Sequence, residues 1–399
     1  MKCLKLLVVV FFILFLQSCA FENENRIVIL ELDKKSDFDA GLEYDTSISG
    51  FPAENKPIAD SRLVNQSFMY LEKVRTQHPN PANYLGDLFP EYPSAYINPG
   101  YNISKTNGTY SASFFENQIC KIGIRKENLS QDELFYEAEK FIDSLYNCIK
   151  DESESKSGNY VFIGNDHAMS YFTFRLAKEL DTKSKIGLFI FDEHIDIYGI
   201  KDSGNLLNKA NIFGKMILEE YVDYAAFLHV SDMAKEIANS STELVEKKSM
   251  LFSRISVYSS KDLELNYEKV IENEISRMKE KGVNTIMVSF DVDALPIQYT
   301  GFEYSVLAPG IAAIRYGNIS RNQTLAEFEE GFSEGIEPAE FSKYISTIKK
   351  ISKKKNIKFG TGNKVNILGD FQELLPGQDL DNKTTIATRE MAAALMEAK

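Results

Sequence analysis

The sequence predicts an α/β fold in which a mainly parallel sheet is covered by helices on both faces. From Tyr160 onward, short runs of β-branched and aromatic residues alternate with longer amphipathic segments, as expected for alternating strands and helices. Three of the short runs end in clusters of acidic residues, at the edge where parallel α/β sheets bind ligands. The chain has 399 residues and is 44% hydrophobic, which is ample for one large domain or two ordinary ones.

Each short β-branched or aromatic run predicts a strand, and each longer amphipathic segment predicts a helix. The strands are predicted at residues 160–163, 186–191, 225–230, 255–258, 285–290 and 364–368. The helices are predicted at residues 170–180, 267–281, 339–353 and 384–398. Residues 21–158 are instead rich in Asn, Ser, Pro and Tyr, with turn signals and one helical stretch at 131–149. We therefore divide the chain into segment 1–18, an N-terminal tether and extension at 19–158, and an α/β domain at 159–399.

The first eighteen residues have the features of a signal peptide. Lys2 and Lys5 precede an apolar run at 6–16, which is too short to span a bilayer comfortably. Ser18 and Cys19 then resemble a bacterial lipobox, in which the cysteine is acylated and becomes the mature N-terminus. We predict an extracytoplasmic lipoprotein that is anchored to the membrane through Cys19. The alternative is an ordinary signal peptide or a retained anchor with a chance cysteine.

The charge of the chain limits its partners. The formal net charge is −13, and removal of the predicted signal peptide with Lys2 and Lys5 would make it more negative. A nucleic-acid partner is therefore not expected, whereas a cationic substrate suits such a surface, although an acidic balance often serves solubility alone. Outside the reducing cytoplasm, Cys120 and Cys148 could form a disulfide or remain as buried free thiols.

Metal-type ligands follow three predicted strands. They form the segments Gly164-Asn165-Asp166-His167, Asp192-Glu193-His194-Ile195-Asp196 and Asp291-Val292-Asp293. In an extended segment, alternate residues point to one face, which aligns the acidic residues and histidines within each cluster. Acidic loop residues that serve capping or solubility are the plain alternative.

Four carboxylates held together would repel one another unless cations lay among them. Oxygen-rich ligation with one imidazole for each ion suits Mn²⁺ better than a metal that prefers thiolates. Two ions with bridging carboxylates can hold and acidify a shared water, which gives a metal-bridging hydroxide at neutral pH. The sequence therefore predicts a site for two Mn²⁺ ions.

The three clusters, in this order, resemble the ureohydrolase family of arginase, agmatinase and formimidoylglutamase. The family pattern is Gly-Gly-Asp-His, then Asp-Ala-His-x-Asp, then Ser-x-Asp-x-Asp. The resemblance covers the chain from about residue 160 to the C-terminus and implies an arginase-like three-layer α/β/α sandwich with a mainly parallel sheet. By this resemblance, each manganese ion has one histidine and one aspartate of its own and two aspartates bridge the ions. These ligands are His167 with Asp196, His194 with Asp293, and the bridging Asp192 and Asp291.

Two further matches concern the substrate. The segment Asp370-Phe371-Gln372-Glu373-Leu374-Leu375-Pro376 resembles the family's Asp-x-x-Glu-x-x-Pro, whose glutamate pairs with a guanidinium group. A carboxylate can bind such a planar cation through two hydrogen bonds, so Glu373 is the candidate substrate-orienting residue. Ser203 and Asn205 resemble the loop that binds the amino-acid end of arginine, although the match is short. The implied partner is a small cationic guanidino or amidino compound.

One departure from the pattern concerns catalysis. Leu207 stands where arginases have a histidine that transfers a proton to the leaving amine. His229, at the end of another predicted strand, is a speculative replacement acid, although a lone histidine in that position is more often structural. Tyr198 also replaces an asparagine near the substrate carboxylate, which disfavours arginine itself.

The first functional hypothesis is a Mn²⁺-dependent binuclear hydrolase that cleaves a C–N bond of a guanidino, amidino or formimino compound. The second is a catalytically degenerate binding lipoprotein of the same fold. Leu207 favours the second hypothesis, and Glu373 favours the first. A single-zinc deacetylase of the wider superfamily is a third reading, and the paired Asp291 and Asp293 argue against it.

Overall fold

The structure is a computed structural model. It describes residues 24–32, 94–97, 110–111, 123–124, 143, 146–147, 149–150, 157–164, 167–197, 211–231, 234–235, 251–296, 299, 335–362, 364–374 and 383–397. The strands are β1 Glu24–Leu32, β2 Ser94–Ile97, β3 Tyr110–Ser111, β4 Gly123–Ile124, β5 Gly158–Gly164, β6 Ile186–Phe191, β7 Tyr224–Val230, β8 Ile255–Ser259, β9 Thr285–Asp291, β10 Lys358–Phe359 and β11 Val365–Gln372. The helices are α1 Met169–Leu180, α2 Ile212–Leu218, α3 Ser260–Glu264, α4 Tyr267–Glu280, α5 Pro338–Lys354 and α6 Lys383–Glu397, and a 3₁₀ turn covers Val292–Ala294.

Nine of the described strands form one sheet in the order β2-β1-β5-β11-β9-β6-β7-β8, with β10 also paired to β9. Every neighbouring pair in this sheet is parallel. Strands β3 and β4 form a separate antiparallel pair. The predicted mainly parallel sheet is confirmed. Chain order differs from sheet order, since β5 and β6 are separated by the later strands β11 and β9.

Helices cover both faces of the sheet. The central strands β6 and β9 are buried along their whole length, as expected for strands that are covered on both sides. One apolar core packs α1 and α2 against the first face, with Phe172 and Phe213 among its side chains. A second core packs α4, α5 and α6 against the other face, with Ile275 and Phe341 among its side chains. The predicted three-layer α/β/α arrangement is confirmed.

Strand β11 extends four residues beyond its predicted end. Its register shifts between Ile367 and Gly369, so the strand passes an irregularity and then pairs with β9. Gly369 is needed there, because a Cβ atom would lie 1.9 Å from the carbonyl oxygen of Val288. The sequence predicted that Asp370 follows the strand, but Asp370 lies inside it. Glu373 is the first residue beyond the strand.

The sheet also extends beyond the predicted boundary at residue 158. Strand β1 pairs with β5, and β2 pairs with β1, so two strands of the predicted extension belong to the sheet of the α/β domain. In β1, the apolar run at 27–30 between polar residues is typical of a short buried strand. The predicted helix at 131–149 lies mostly outside the described residues. Among the residues that are described, no helix has both the length and the hydropathy to cross a membrane.

Candidate metal centre

The candidate ligands lie at the carboxyl ends of four strands that are neighbours in the sheet. His167 follows β5, and the segment from Asp192 to Asp196 follows β6. Asp291 and Asp293 lie at the end of β9, and Glu373 follows β11. Because β5, β11, β9 and β6 are consecutive in the sheet, these separate sequence motifs meet at one edge.

His167 lies at the centre of the first ligand group and is fully buried. Its Nδ1 lies 2.8 Å from Asp291 Oδ2, 3.0 Å from Asp196 Oδ2 and 3.5 Å from Asp192 Oδ2. Phe213 packs edge-on against the imidazole at 5.0 Å between ring centroids, which limits the orientation of the ring. One nitrogen thus faces three carboxylates, and such an arrangement can bind a divalent cation.

His194 lies in a second group, which is more accessible because the His194 side chain is 39% exposed. Its Nδ1 lies 2.8 Å from Asp293 Oδ2 and 3.6 Å from Asp192 Oδ1. The potential ligand atoms of Asp192, His194 and Asp293 all lie within 4.8 Å of one another, as do those of His167, Asp192 and Asp291. Asp192 therefore belongs to both groups, as a bridging carboxylate would.

Local backbone contacts hold these carboxylates in place. Asp192 Oδ1 accepts a hydrogen bond from the backbone N–H of His194 at 2.6 Å, and Asp291 Oδ1 accepts one from Asp293 N–H at 3.0 Å. Asp196 has a left-handed backbone with φ of 36°, and its carbonyl accepts from the N–H of Phe213 at 3.1 Å. Such a strained position persists where its surroundings hold it, and strained positions are common at functional sites.

The electrostatics of the cluster indicate a site that needs positive charge. Burial, with Asp196 and Asp293 nearby, raises the pKa of Asp192 to about 7. Burial and the charge of Asp293 also raise the pKa of Asp291 well above its usual range. Burial lowers the pKa of His167, but the surrounding carboxylates outweigh it and hold the pKa well above the usual value. The carboxylates thus repel one another, and a cation among them would relieve that repulsion.

The donor set fits a metal ion. Among the described residues, His167 Nδ1, His167 Nε2 and Asp192 Oδ2 are buried and have no hydrogen bond of acceptable geometry, although carboxylate oxygens lie close to His167 Nδ1. A buried polar atom without a partner is costly, so a bound cation would be a natural partner for these atoms. Imidazole nitrogen with carboxylate oxygen is a ligand set that divalent first-row metals accept.

Glu373 lies beside the metal-type ligands. Its carboxylate oxygen is within 4.8 Å of ligand oxygens of Asp291 and Asp293. Its backbone is left-handed, with φ of 61°. The structure thus brings the predicted substrate residue to the same edge as the predicted metal ligands.

His229 lies near the end of β7 and packs against Phe191 and Tyr344 of the second apolar core. Its Nδ1 lies 3.2 Å from Ser260 Oγ, and its Nε2 lies 3.2 Å from the Tyr344 hydroxyl. Burial lowers its pKa to about 4, so the ring is neutral at neutral pH. Phe191 stacks on the ring at 6.3 Å between centroids. These contacts favour the structural reading of His229 over that of a replacement acid.

Several residues singled out in the sequence lie outside the described residues. They are Cys19, Cys120, Cys148, Tyr198, Ser203, Asn205 and Leu207.

A buried hydrogen-bond network beside the site was not predicted from the sequence. Asp370 is fully buried and accepts hydrogen bonds from Ser289 Oγ at 2.7 Å and from Gln372 Nε2 at 2.8 Å. Polar residues at alternate positions of β11 were the available signal.

Sequence comparison assigns the class of protein. The sequence matches the Arginase family over residues 92–302, which is more than half of the chain. The chain belongs to the arginase family. That match begins well before residue 159, in agreement with the presence of β2 in the sheet. No curated protein matches the sequence directly.

Three solved structures illustrate the resemblance. Arginase from Bacillus subtilis has 14% identity and a TM-score of 0.45, with 94% of this chain and 99% of that chain covered. A hypothetical agmatinase from Burkholderia thailandensis has 13% identity and a TM-score of 0.44, with 94% and 85% covered. Formimidoylglutamase from Bacillus subtilis subsp. subtilis has 11% identity and a TM-score of 0.45, with 94% and 88% covered. The family assignment rests on the sequence match.

Proposed function

We propose that this protein is a Mn²⁺-dependent binuclear hydrolase that cleaves a C–N bond of a guanidino, amidino or formimino compound. The observation that carries the proposal is the pair of ligand groups that share Asp192, each with its own histidine. One histidine and shared carboxylates for each position are the ligand set expected for two Mn²⁺ ions. Membership of the arginase family supports the hydrolase class.

In this proposal, the two metal positions divide the ligands between them. His167 and Asp196 would hold one ion, His194 and Asp293 would hold the other, and Asp192 and Asp291 would be shared between the two positions. When bound, the two ions would supply Lewis acidity, which would lower the pKa of a water molecule at the site toward neutrality. The protein contributes the positions of the carboxylates, which the backbone N–H groups of His194 and Asp293 orient.

Glu373 gives the site its preference for a planar cation. A guanidinium or amidinium group can bind a carboxylate through two parallel hydrogen bonds, which sets its orientation as well as its position. Because carboxylate oxygens of Glu373, Asp291 and Asp293 lie within 4.8 Å of one another, a cation bound to Glu373 would lie next to the proposed metal centre. The acidic balance of the chain, with a formal net charge of −13, also favours cationic substrates.

A binding protein without turnover is the second candidate, and Leu207 is the observation that favours it. Leucine has no proton to donate, and expulsion of an amine requires one. On either candidate, we propose that the protein is an extracytoplasmic lipoprotein attached to the membrane through Cys19.

The test combines metal analysis with activity. Purified protein reloaded with Mn²⁺ should contain close to two ions per chain and should release urea or ammonia from at least one of arginine, agmatine, guanidinobutyrate and formiminoglutamate. Asp291→Asn should lose most of the metal, because a bridging carboxylate contributes to both positions. Glu373→Gln is the matched control, since it should retain both ions and lose turnover.

Each alternative has its own result. One zinc ion per chain, or no metal after reloading, would reject the binuclear centre. Two manganese ions with compound binding but no release of urea or ammonia would support the binding protein. Loss of metal in Glu373→Gln would show that Glu373 is a metal ligand rather than the substrate-orienting residue.

A further inference from the structure

The backbone of Glu373 is held in a conformation that residues with a Cβ atom rarely adopt. Its φ is 61°, in the left-handed region, and no glycine occupies the position. A strained residue persists only where its surroundings determine its conformation. The contacts of its two sequence neighbours therefore show what holds Glu373 in place.

The residue before Glu373 is attached to strand β9. Gln372 is fully buried, and its Nε2 donates to Asp370 Oδ2 at 2.8 Å. The other oxygen of Asp370 accepts from Ser289 Oγ at 2.7 Å. Ser289 lies in β9, two residues before the candidate ligand Asp291. The amide of Gln372 is thus tied, through one buried carboxylate, to the strand that carries two candidate metal ligands.

Both neighbours of Glu373 also contact Gly164 at the end of β5. The Gln372 side chain lies directly over this glycine, because a Cβ atom there would be 2.0 Å from Gln372 Oε1. On the other side of Glu373, the N–H of Leu374 donates to the carbonyl oxygen of Gly164 at 3.1 Å. Gly164 belongs to the segment that leads to His167, so the first and last sequence motifs are joined here.

We propose that Asp370, Gln372 and Gly164 form a bracket that positions the Glu373 carboxylate for the planar cation of the substrate. These three residues act through Glu373 and are positioning residues. The bracket secures the residues on both sides of Glu373, so that its strained backbone directs the carboxylate toward Asp291 and Asp293. This inference rests on the proposed function, because it assigns the bracket to substrate binding at that site.

The physical reason for a bracket is the short range of the hydrogen bonds that orient a planar cation. A carboxylate that is misplaced by about 1 Å loses the two-bond geometry, and such misplacements can cost on the order of 100-fold in rate. Gly164 provides the space for the Gln372 amide, and Asp370 provides its acceptor. Loss of the space at Gly164 or of the acceptor at Asp370 should therefore weaken substrate binding more than metal binding.

The test uses two bracket variants and one matched control in the full chain. Gln372→Met keeps the length of the side chain but removes the donor, and Gly164→Ala fills the space under the amide. The control is Asn366→Leu, because Asn366 Nδ2 donates to Asn159 Oδ1 at 2.8 Å and joins the same two strands at their opposite ends. All three variants should lose some thermal stability. An effect on substrate binding that occurs only in the bracket variants therefore reflects a change in the position of Glu373 rather than a loss of stability.

In the bracket variants, we expect faster hydrogen exchange at the Leu374 amide and retention of manganese. We also expect kcat/KM to fall about 10- to 100-fold, mainly through KM. The double variant Gly164→Ala/Gln372→Met should be no worse than the more severe single variant, because both act on one contact. The control should match wild type in Leu374 exchange and in KM.

Unchanged Leu374 exchange or an unchanged KM in both bracket variants would overturn the inference. The proposed function fails in a different way, through a manganese-loaded wild type that releases neither urea nor ammonia from any compound. In that case, the exchange at Leu374 decides whether the bracket holds Glu373. Wild-type exchange in the variants would reject the bracket, and faster exchange would support it.

Discussion

At the scale of single residues, the candidate centre is a set of buried polar groups that have few partners in the protein. Asp192 is fully buried and belongs to both ligand groups, and one of its oxygens has no hydrogen-bond partner among the described residues. His229 has the opposite environment, with both ring nitrogens in contact with hydroxyl groups. Asp192 follows β6 and His229 lies near the end of the neighbouring strand β7, and their contacts distinguish the candidate ligand from the structural residue.

The absence of a proton donor at residue 207 leads to a prediction about rate. General acid catalysis typically contributes about 10²–10⁴-fold, so a site with intact metal ligands but no acid should bind a guanidino compound and cleave it slowly. Leu207→His should raise kcat with little change in manganese content. Assays of urea or ammonia release measure the effect, with His229→Ala as a comparison. Brisk wild-type turnover that Leu207→His does not improve would contradict this account.

The low pKa of His229 predicts a loss of stability in acid. The pKa is about 4 in the folded protein, against about 6.5 in an unfolded chain, so the unfolded state binds the extra proton between these values. Its contribution is complete above pH 6.5 and is lost as the pH falls toward 4. Between pH 7 and pH 5, the wild type should lose about 2 kcal/mol through this residue.

The substitution His229→Asn removes the titrating group and suits the left-handed backbone, with φ of 64°. Urea denaturation at both pH values should show a smaller acid-dependent loss of stability in the variant, whatever its stability at pH 7. Equal losses in the two proteins would indicate that His229 does not titrate in this range.

At the scale of elements, a buried carboxylate joins α4 to the outer strands of the sheet. Glu274 is fully buried on α4, and it accepts from the Tyr224 hydroxyl of β7 at 3.0 Å and from the Tyr258 hydroxyl of β8. Arg277 Nη1 lies 2.8 Å from Glu274 Oε1 and donates to Ser256 Oγ at 2.6 Å. The helix is therefore attached to the sheet by polar contacts as well as by its apolar face.

Removal of the arginine should leave Glu274 with an uncompensated buried charge. Arg277→Met keeps the aliphatic part of the side chain and should lower the free energy of unfolding by about 1–3 kcal/mol, since Arg277 is partly exposed. Lys269→Met on the exposed side of the same helix is the control and should change it by less than about 0.5 kcal/mol. Chemical denaturation of both variants measures the difference, and equal effects would contradict the role of the network.

At the scale of the whole molecule, the sheet is assembled from distant parts of the chain. Strand β1, near the N-terminus, pairs with β5, which pairs in turn with β11, near the C-terminus. The predicted signal peptide at 1–18 ends shortly before this first strand, and Cys19 lies five positions before its first residue, Glu24. A lipid anchor at Cys19 would therefore hold the domain close to the membrane surface.

The proposed acylation of Cys19 predicts where the protein is found in cells. Two or three acyl chains on one cysteine anchor a protein stably, whereas one chain binds only marginally. Cys19→Ser should prevent lipidation and shift the protein from the membrane fraction to the soluble fraction. Fractionation with immunodetection measures the shift. Unchanged membrane partitioning would favour an uncleaved helix over a lipid anchor.

The sequence by itself determined most strands of the described sheet and the composition of the candidate centre. Strand patterns at 186–191 and 285–290 predict elements to within a residue, because buried parallel strands read as uninterrupted apolar runs. The acidic residues and histidines that follow them predict convergence, since parallel strands present their carboxyl ends at one edge. These features are local and periodic, so a single sequence contains them.

Only the tertiary structure decided which polar groups face one another. The shift in register at Gly369 places Asp370 inside β11 against Ser289, and no local pattern encodes that close approach. The same holds for Gln372 over Gly164, which are 208 positions apart in the chain. Strand β1 has a short apolar run of its own, but its place in the sheet is decided by its pairing with β5. Such contacts depend on the order and register of strands, which are set by packing between distant segments rather than by the periodicity of any one of them.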